Sequence, residues 1–435
     1  MRKAVGKVIA ANQLAQTASV DIEELDAVWY HGMLPRSEME ELLQKDGDWL
    51  LRTTDNDNRL RHILVVRQKG RLRHIVVRRH ADGTYHTPSG SKHRTVKDLV
   101  EALRKDKQLQ MKRPVRRRKW MIPTRDVTLE RKVGEGAFGD VFVGRLMISG
   151  RGTRIRIPVA IKTCKAELSV SKRDELLLEA KLMLNYQHIN VIRLYGVAAD
   201  KLPLMLVMEM CPDGSLDSYL KKYIVPEQDK LKYFYEAARG MEYLAVKKNC
   251  VHRDLAARNC LIGVQGELKI SDFGLSQHTK KDAYLQIDMK TARLPIKWAA
   301  PESLERGEFS HKSDIWTFAI LIWEILSNAE VPWPGKTNKE AYQAMRRGEK
   351  MEMPAGVMVR PQLVSLMHAC WNLNPTARPD ITMVRETLES IAGVPAQPGH
   401  KVKELGQNLM KVPGGHTVAR DVLSGEEGTE ETEDN

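Results

Sequence analysis

The chain contains little cysteine and no long apolar run, and both shortages narrow its class. Only 5 of its 435 residues are cysteine, and no Cys-x-x-Cys pair occurs, which argues against a zinc site or a disulfide framework. The most apolar stretch, residues 315–326, is too short to span a bilayer and contains Glu324. No signal peptide is expected, because Lys7, Asn12 and Gln13 interrupt the N-terminal apolar residues. The sequence therefore predicts a cytoplasmic protein.

Positive charge is in excess and unevenly placed. The chain has 69 Lys and Arg against 56 Asp and Glu, a net charge of +13. The first 120 residues are strongly basic, notably RPVRRRK at 113–119, whereas the sequence ends in GEEGTEETEDN. Basic segments favour anionic partners such as phosphorylated chains, acidic lipid or nucleic acid. We expect residues 113–119 either to contact acidic lipid at the inner face of the plasma membrane or to form a solvated linker. We expect no specific binding of nucleic acid.

Composition and periodicity divide the chain into segments of an α+β fold. A helix, three strand-like runs and a closing helix predict a compact module, whereas the larger domain is strand-rich at first and helical afterwards. Both termini are expected to be disordered, the last one because it has almost no aromatic residues. The predicted segments are an N-terminal stretch (1–27), the compact module (28–112), a basic linker (113–119), the larger domain (120–392) and an acidic tail (393–435).

The larger domain begins with a glycine-rich hairpin that suits a phosphate. Glycines let backbone amides approach phosphate oxygens, and a β-branched strand follows them instead of the helix of a dinucleotide fold. The candidate nucleotide-binding residues here are Val133, Gly134, Glu135, Gly136, Ala137, Phe138, Gly139, Asp140 and Val141. Lys162 of VAIK is the candidate cation for the phosphates. Glu179 on the next predicted helix is its expected partner, with Glu175 as the second choice.

The stretch VHRDLAARNC, residues 251–260, places a carboxylate, two guanidinium groups and an amide close together. Asp254 is the candidate acceptor for the proton of an attacking hydroxyl, and the amide oxygen of Asn259 suits a hard cation. The DFG motif at 272–274 adds Asp272, whose carboxylate suits Mg²⁺ bound to the β- and γ-phosphates. This pattern predicts phosphoryl transfer from ATP with Mg²⁺.

These motifs, followed by APE at 300–302, resemble a bilobal protein kinase across 120–391. HRDLAARN and LPIKWAAPESL look like the tyrosine-specific branch, which implies tyrosine-containing protein substrates. In that branch, the positively charged side chain next to the catalytic aspartate stands at the position that Arg258 occupies in this chain. In members of that branch, the phenol ring of the peptide rests on a platform of the enzyme, and Pro295 and Trp298 match the residues that form it.

The same resemblance implies further roles outside the reaction centre. Met208 occupies the gatekeeper position before the hinge, and Met210 is the hinge residue expected to contact adenine. Tyr284 is the implied autophosphorylation site, with Arg253 as the partner for its phosphate. Glu302 is expected to pair with Arg378, and Asp314 to hold the backbone of the catalytic loop.

The compact module contains an arginine in an unusual setting. Arg52 lies in DWLLRTT, an apolar strand where an unpaired charge is costly and where a fork-shaped donor suits a phosphate. Together with WYHGMLPR, this stretch resembles the Src homology 2 (SH2) domain over 29–110. The resemblance implies phosphotyrosine peptides as partners, bound by Arg52 with Arg36 and His74. The hydroxyls of Thr53 and Thr54 are expected to bind the remaining phosphate oxygens.

An SH2 module directly before a tyrosine kinase resembles the non-receptor tyrosine kinases, and WYHGMLPR, Lys119-Trp120 and VFVGRL look most like the Fes/Fer subgroup. Members of that subgroup carry a membrane-bending F-BAR region, for which residues 1–27 are too short. The subgroup also implies that the SH2 domain docks on the small lobe and favours the active state. The alternative is a phosphotyrosine-binding pseudokinase scaffold. It is disfavoured because Lys162, Asp254 and Asp272 are all retained.

Overall fold

The computed structural model describes residues 27–56, 59–88, 90–135, 139–150, 153–164, 170–278, 285–286, 294–393, 410–411 and 417–418. These residues form two compact units. The first contains the residues up to Leu184 together with Leu194–Met208. The second contains Asn185–Arg193 and Glu209–Glu404, and the residues from Leu405 onward are grouped with the first.

The first unit begins with a five-stranded sheet and two helices. Its strands are β1 (Asp48–Asn56), β2 (Arg59–Gln68), β3 (Arg71–Arg79), β4 (Tyr85–His86) and β5 (Arg113–Pro114). Its helices are α1 (Arg36–Leu42) and α2 (Val96–Lys105). The strand order is β4-β3-β2-β1-β5, antiparallel except for the parallel pairing of β1 with β5. The predicted order of helix, three strands and helix is therefore confirmed in this module.

Side-chain alternation along β1 gives this sheet two buried faces. Trp49 and Leu51 pack in one apolar cluster with residues of α2, whereas Leu50 packs in another with Met39 and Leu43. Successive strand residues point to opposite faces, so one strand supplies both clusters. Arg52 follows Leu51 and therefore lies on the face of Leu50, beside α1.

A second five-stranded sheet completes the first unit. Its strands are β6 (Val127–Glu135), β7 (Asp140–Gly150), β8 (Thr153–Thr163), β9 (Leu194–Ala198) and β10 (Met205–Glu209), and its helix is α3 (Val170–Leu184). The strand order is β6-β7-β8-β10-β9. Ile157, Val159 and Ile161 of β8 are buried in the core cluster of this sheet. The register pairs Val141 with Lys162, which places the lysine across from the strand that leaves the glycine-rich hairpin.

The second unit is mainly helical. Its helices are α4 (Leu216–Lys222), α5 (Glu227–Glu242), α6 (Pro301–Arg306), α7 (His311–Leu326), α8 (Asn338–Arg346), α9 (Pro361–Cys370) and α10 (Ile381–Ala392). Its short strands are β11 (Cys250–Val251), β12 (Cys260–Ile262), β13 (Leu268–Ile270), β14 (Gln277–His278), β15 (Leu285–Gln286) and β16 (Glu308–Phe309). Helix α7 is buried from Ser313 to Leu326, as expected for a helix that is apolar on all sides. A Ser310 capping box fixes its start.

The structure also bears on the expectations for the membrane and the termini. No helix within the described ranges combines the length and the apolar character needed to cross a bilayer. The segment 1–27 lies outside the described residues except for Ala27, and within 393–435 only Gly393 and two short paired strands, Met410–Lys411 and Thr417–Val418, are described. The domain boundaries and the disorder of the termini stay predictions.

Candidate active site and phosphotyrosine pocket

The first unit brings Lys162 of β8 and Glu179 of α3 together. Lys162 Nζ lies 3.2 Å from Glu179 Oε1, and both side chains are largely buried, at 14% and 6% exposure. Burial makes such a pair sensitive to the loss of either partner, because the remaining charge would be desolvated and unpaired. The structure thus assigns Glu179 to Lys162, whereas the side chain of Glu175 lies outside the described residues.

The glycine-rich hairpin joins β6 to β7. A Cβ atom at Gly139 would lie only 1.5 Å from the carbonyl oxygen of Thr163, so no larger residue fits this close approach. Lys132 Nζ lies 2.8 Å from Asp140 Oδ1 on the neighbouring strand and 3.2 Å from Glu135 Oε2 on its own strand. Three of the predicted nucleotide-binding residues lie outside the described residues, namely Gly136, Ala137 and Phe138.

The catalytic loop of the second unit organises its polar groups around Asp254. The amide nitrogen of Asn259 donates to Asp254 Oδ2 at 2.8 Å and to the Asp254 carbonyl oxygen at 2.7 Å. Arg258 forms an ion pair with Asp254 Oδ1, and its guanidinium stacks over Trp298 at 4.8 Å. One carboxylate is therefore oriented by an amide and by a cation that also contacts the predicted platform for the peptide.

Asp314 of α7 anchors the loop from beneath. Its carboxylate accepts the backbone N–H groups of His252 at 2.7 Å and Arg253 at 3.0 Å, as the kinase resemblance implies. Burial raises the pKa of Asp314. Arg253 adopts a left-handed backbone conformation, with φ of 72°. Such a conformation is unusual for a residue with a side chain, and it persists only where its surroundings hold it.

Asn259 and Asp272 are the candidate ligands for a divalent cation. Ser271 donates both its N–H, at 2.8 Å, and its hydroxyl, at 2.9 Å, to the carbonyl oxygen of Asn259, which places Asp272 next to that residue. Their amide and carboxylate oxygens are the donors that Mg²⁺ prefers. Within the described ranges no three His, Cys, Asp or Glu side chains converge as a metal site. Two protein donors suit Mg²⁺, which usually takes its remaining ligands from phosphates and water.

The hinge contains a buried charge cluster that the sequence did not predict. Met208 and Met210 are half-buried on either side of Glu209. Lys269 Nζ lies 3.2 Å from carboxylate oxygens of both Glu209 and Glu267. Burial raises the pKa of Glu209, and the nearby Lys269 opposes that rise. A charged residue in the apolar strand LKI was the available signal for this cluster.

The activation segment is described only in part. Tyr284 lies outside the described residues, so its role stays a prediction. The next residue, Leu285, pairs with Phe309 of β16, and the guanidinium of Arg253 lies 4.7 Å from the ring centroid of Phe309. Arg253 Nε is buried and, within the described ranges, has no hydrogen-bond partner. The guanidinium thus lies against Phe309, which pairs with Leu285, the residue that follows Tyr284 in the sequence.

Arg52 and His74 lie on one face of the first sheet, and Arg36 begins helix α1, which packs on the same face. Arg52 Nη1 donates to the carbonyl oxygen of Leu34, whereas its Nε is buried without a partner among the residues described. Burial lowers the pKa of Arg52, the negative charge of Asp174 on α3 opposes that fall, and the neighbouring Arg36 adds to it. Burial also lowers the pKa of His74, with Arg36 and Arg52 adding to the effect. Arg36, Arg52 and His74 therefore lie near one another, and the buried Nε of Arg52 remains as a donor for an anion.

Thr53 corrects one expectation for this pocket. Its side chain is 3% exposed, and its hydroxyl bonds Tyr30 Oη at 2.8 Å and His62 Nδ1 at 3.0 Å. The prediction that this hydroxyl binds phosphate is wrong, because adjacent residues of a strand point to opposite faces and Arg52 occupies the other face. Thr54 lies on the face of Arg52.

The SH2-like module contacts helix α3 and the segment after β9 within the same compact unit. Lys181 of α3 forms ion pairs with Glu38 at 2.8 Å and Glu41 at 2.9 Å. Tyr30 Oη donates to the carbonyl oxygen of Asp200 at 2.9 Å. Gly32, with φ of +57°, lies so close that a Cβ there would be 2.1 Å from the carbonyl oxygen of Ala199. These contacts reach the helix that carries Glu179.

The buried pair expected from the kinase resemblance is also present. Arg378 is fully buried, and its two terminal nitrogens donate to the two oxygens of Glu302 at 2.6 and 2.8 Å. Its Nε donates to the carbonyl oxygen of Asn372 at 2.8 Å. All three nitrogens of the guanidinium are thus satisfied, and the pair joins the start of α6 to the segment before α10.

The folds and the two sites define a protein kinase catalytic domain preceded by a phosphotyrosine-binding module. The family described as protein tyrosine and serine/threonine kinase matches residues 127–388, and the SH2 domain family matches residues 29–103.

Tyrosine kinases of the Fer and Fps type are similar to most of the chain. Tyrosine-protein kinase Fer of Rattus norvegicus is 35% identical over 397 residues, which cover 88% of this chain and 46% of that protein. Fer-related kinase 1 of Caenorhabditis elegans is 37% identical over 85% of this chain and 95% of its own length. The transforming protein Fps of avian sarcoma virus (strain PRCII) is 36% identical over 83% and 67%, respectively.

The chain belongs to the SH2-containing protein tyrosine kinases, and its relatives are the Fer and Fps kinases. It spans about half the length of the rat relative, and nearly all of the nematode one. Nothing in the site or in these relatives favours a scaffold that lacks catalysis.

Proposed function

We propose that this chain transfers the γ-phosphate of ATP to tyrosine hydroxyls of protein substrates and binds phosphotyrosine peptides through its SH2 domain. The arrangement around Asp254 carries the proposal. Its carboxylate is held by the Asn259 amide and by Arg258, which supports the proposal that it accepts the phenolic proton. A structural ion pair alone would need neither the amide nor the stacking on Trp298.

In the proposed reaction, the phenol oxygen attacks the γ-phosphorus while the bond from that phosphorus to the departing ADP oxygen breaks. The phenolic proton passes to Asp254. Arg258 balances the charge of Asp254 and lies against the platform that orients the ring. Lys162 supplies positive charge to the phosphates, and Glu179 keeps its ammonium group in place. Asn259 and Asp272 would hold Mg²⁺, which neutralises charge on the β- and γ-phosphates when it is bound.

Docking of the SH2 domain is proposed to favour the active state. Lys181 and Glu179 lie two residues apart on α3, so the ion pairs of Lys181 with Glu38 and Glu41 restrain the helix that positions Lys162. Exposed ion pairs are individually weak. The buried hydrogen bond from Tyr30 to Asp200 and the close packing at Gly32 hold together the surfaces at which these ion pairs form.

The basic linker is proposed to contact acidic lipid. Arg116, Arg118 and Lys119 are exposed, whereas Arg113 pairs with Asp48. Exposed cations next to an anionic surface contribute about 1 kcal/mol each and are screened by salt. Binding to phosphatidylserine vesicles that weakens when 113–119 lose their charges, and in high salt, supports this proposal. Equal binding to neutral vesicles would contradict it.

A peptide assay tests the proposed reaction. The purified chain is incubated with ATP, Mg²⁺ and a peptide that contains one tyrosine, and the product is located by mass spectrometry. Matched peptides carry serine or phenylalanine at that position. We expect phosphate on tyrosine only, and no transfer when EDTA removes the cation. Transfer to serine at a comparable rate, or none to tyrosine, would contradict the proposal.

A further inference from the structure

Two exposed arginines, Arg61 of β2 and Arg78 of β3, belong to the sheet of the phosphotyrosine pocket, and none of the roles above requires them. Strand β1 pairs Arg52 with Ile63 and Thr54 with Arg61. Side chains two residues apart on a strand point to the same face, and so do directly opposite residues of paired strands. Arg61 therefore lies on the face that carries Arg52.

Strand β3 brings Arg78 to the same face. Its residue Val77 pairs with His62 of β2. The next residue outward is Arg78 on β3 and Arg61 on β2, so the antiparallel register places these two arginines side by side. On its other side, Arg78 pairs with His86 of β4. The two guanidinium groups thus start from neighbouring positions of adjacent strands.

The charge of this arginine pair is not offset among the described residues. Neither Arg61 nor Arg78 forms an ion pair or a side-chain hydrogen bond with any of them. Like charges that face each other across two strands are destabilising. An anion between the two guanidinium groups would give both of them an attractive partner, and the fork shape of a guanidinium suits a phosphate or a carboxylate.

The spacing between this pair and the pocket matches the spacing of residues in a peptide. Thr54 is two residues beyond Arg52, and Arg61 is one strand across from Thr54, so the backbones of Arg52 and Arg61 are about 8 Å apart. An extended peptide rises about 7 Å over two residues and turns both side chains to the same side. An anionic group two residues from a bound phosphotyrosine is therefore spaced to reach Arg61 and Arg78.

We propose that Arg61 and Arg78 form a second anion subsite, which binds a phosphate or carboxylate group two residues from the phosphotyrosine of the same peptide. The subsite is continuous with the Arg52 pocket on one face of the sheet, which favours a peptide over a lipid headgroup. This inference rests on the proposed binding of phosphotyrosine by the SH2 domain. It adds a preference for the residues that surround the phosphotyrosine.

Peptide affinities of the full chain, measured by calorimetry without ATP, test the subsite. The reference peptide has one phosphotyrosine with alanine two positions before and after it. Two further peptides carry phosphoserine in place of one of these alanines. We expect one of them to bind about tenfold more tightly than the reference at low salt, because charge-assisted contacts are added. Glutamate at that position should give a smaller gain, since a carboxylate carries less charge than a phosphate.

Three substitutions locate the gain. Arg61→Gln and Arg78→Gln should each lower the affinity for the doubly phosphorylated peptide about threefold, and the double variant should bind it no better than the reference. Arg73→Gln is the matched control, because Arg73 is also exposed on β3 but points to the opposite face. It should leave the gain unchanged. Arg52→Leu should weaken the binding of every phosphopeptide.

The outcomes separate the subsite from the proposed function. If the unaltered chain binds the reference peptide no better than its unphosphorylated form, the proposed phosphotyrosine binding fails. If it does bind the reference, the absence of a gain for both doubly phosphorylated peptides overturns the subsite alone. An equal loss of the gain in Arg73→Gln and Arg61→Gln also overturns it, because that result indicates a general effect of positive charge. Binding to phosphatidylserine vesicles that depends on Arg61 and Arg78, with no gain for either peptide, would assign the pair to lipid instead.

Discussion

Two kinds of buried arginine occur in this molecule. Arg378 is fully buried, and each of its terminal nitrogens contacts an oxygen of Glu302. Arg52 and Arg253 are also desolvated, but each keeps a buried Nε that has no partner among the described residues. The first arrangement is complete without a ligand. The second leaves donor capacity for an anion, and both examples lie where the family resemblance implies a phosphate.

The largest effect on stability is expected at the complete pair. Arg378→Met leaves the carboxylate of Glu302 buried and unpaired, which should lower the free energy of unfolding by about 3–5 kcal/mol. Chemical denaturation monitored by tryptophan fluorescence measures the change. Arg52→Met is the matched control and should leave stability nearly unaltered. Equal destabilisation by both would erase the distinction between the two kinds of arginine.

The largest effect on binding is expected at Arg52. Arg52→Leu removes a desolvated guanidinium from the phosphate site, so phosphopeptide affinity should fall at least about 30-fold, equivalent to about 2 kcal/mol or more. Calorimetry with one phosphotyrosine peptide and its unphosphorylated form provides the measurement. Substituting Arg378 should weaken binding only to the extent that it unfolds the chain. Normal phosphopeptide binding by Arg52→Leu would reject the assigned pocket.

A smaller effect is expected at Arg253. Tyr284→Phe should lower peptide phosphorylation several-fold, because the phosphate that orders the activation segment can no longer form. Arg253→Ala should cause a similar loss, and the double variant should be no worse than either single one. Initial rates are compared before and after preincubation with ATP. Unchanged turnover in Tyr284→Phe would reject the phosphate switch.

The smallest effect is expected at the exposed cation Lys181. Lys181→Glu places like charges next to Glu38 and Glu41, and we expect about a two- to threefold loss of turnover, because exposed pairs are weak. Reversing the charge of Glu38 and Glu41 in the same chain should restore the rate. Turnover is measured by steady-state kinetics at low salt, where exposed ion pairs are screened least. Failure of this rescue would count against regulation through α3.

Short motifs allowed much of the site to be predicted, because they place the reacting groups within a few residues of one another. Asp254, Asn259 and Asp272 come from two short stretches that the fold brings together through Ser271. The pairing of Glu179 with Lys162 was predicted from the position of Glu179 beside the apolar face of the helix that follows Lys162. The order of strands and helices in the SH2 module followed from its alternation of apolar residues.

The remaining features depend on packing between distant segments. The carboxylate of Glu324 accepts the backbone N–H of Ala257 over a separation of 67 residues, and no local pattern relates the two. The contact of Tyr30 with Asp200 joins positions 170 residues apart. Thr53 is a different case, since strand alternation alone was sufficient to place its hydroxyl opposite Arg52. The family resemblance suggested that Arg52 and Thr53 both bind phosphate, but the strand geometry places their side chains on opposite faces of the sheet.

Single-turnover transfer by the unaltered chain and by Asp254→Asn tests the central claim most directly. The substitution keeps the size of the side chain but removes the group that accepts the phenolic proton, so the rate onto tyrosine should fall at least about a hundredfold. ATP affinity, measured separately, should remain near that of the unaltered chain. Transfer by Asp254→Asn at the same rate would contradict the mechanism.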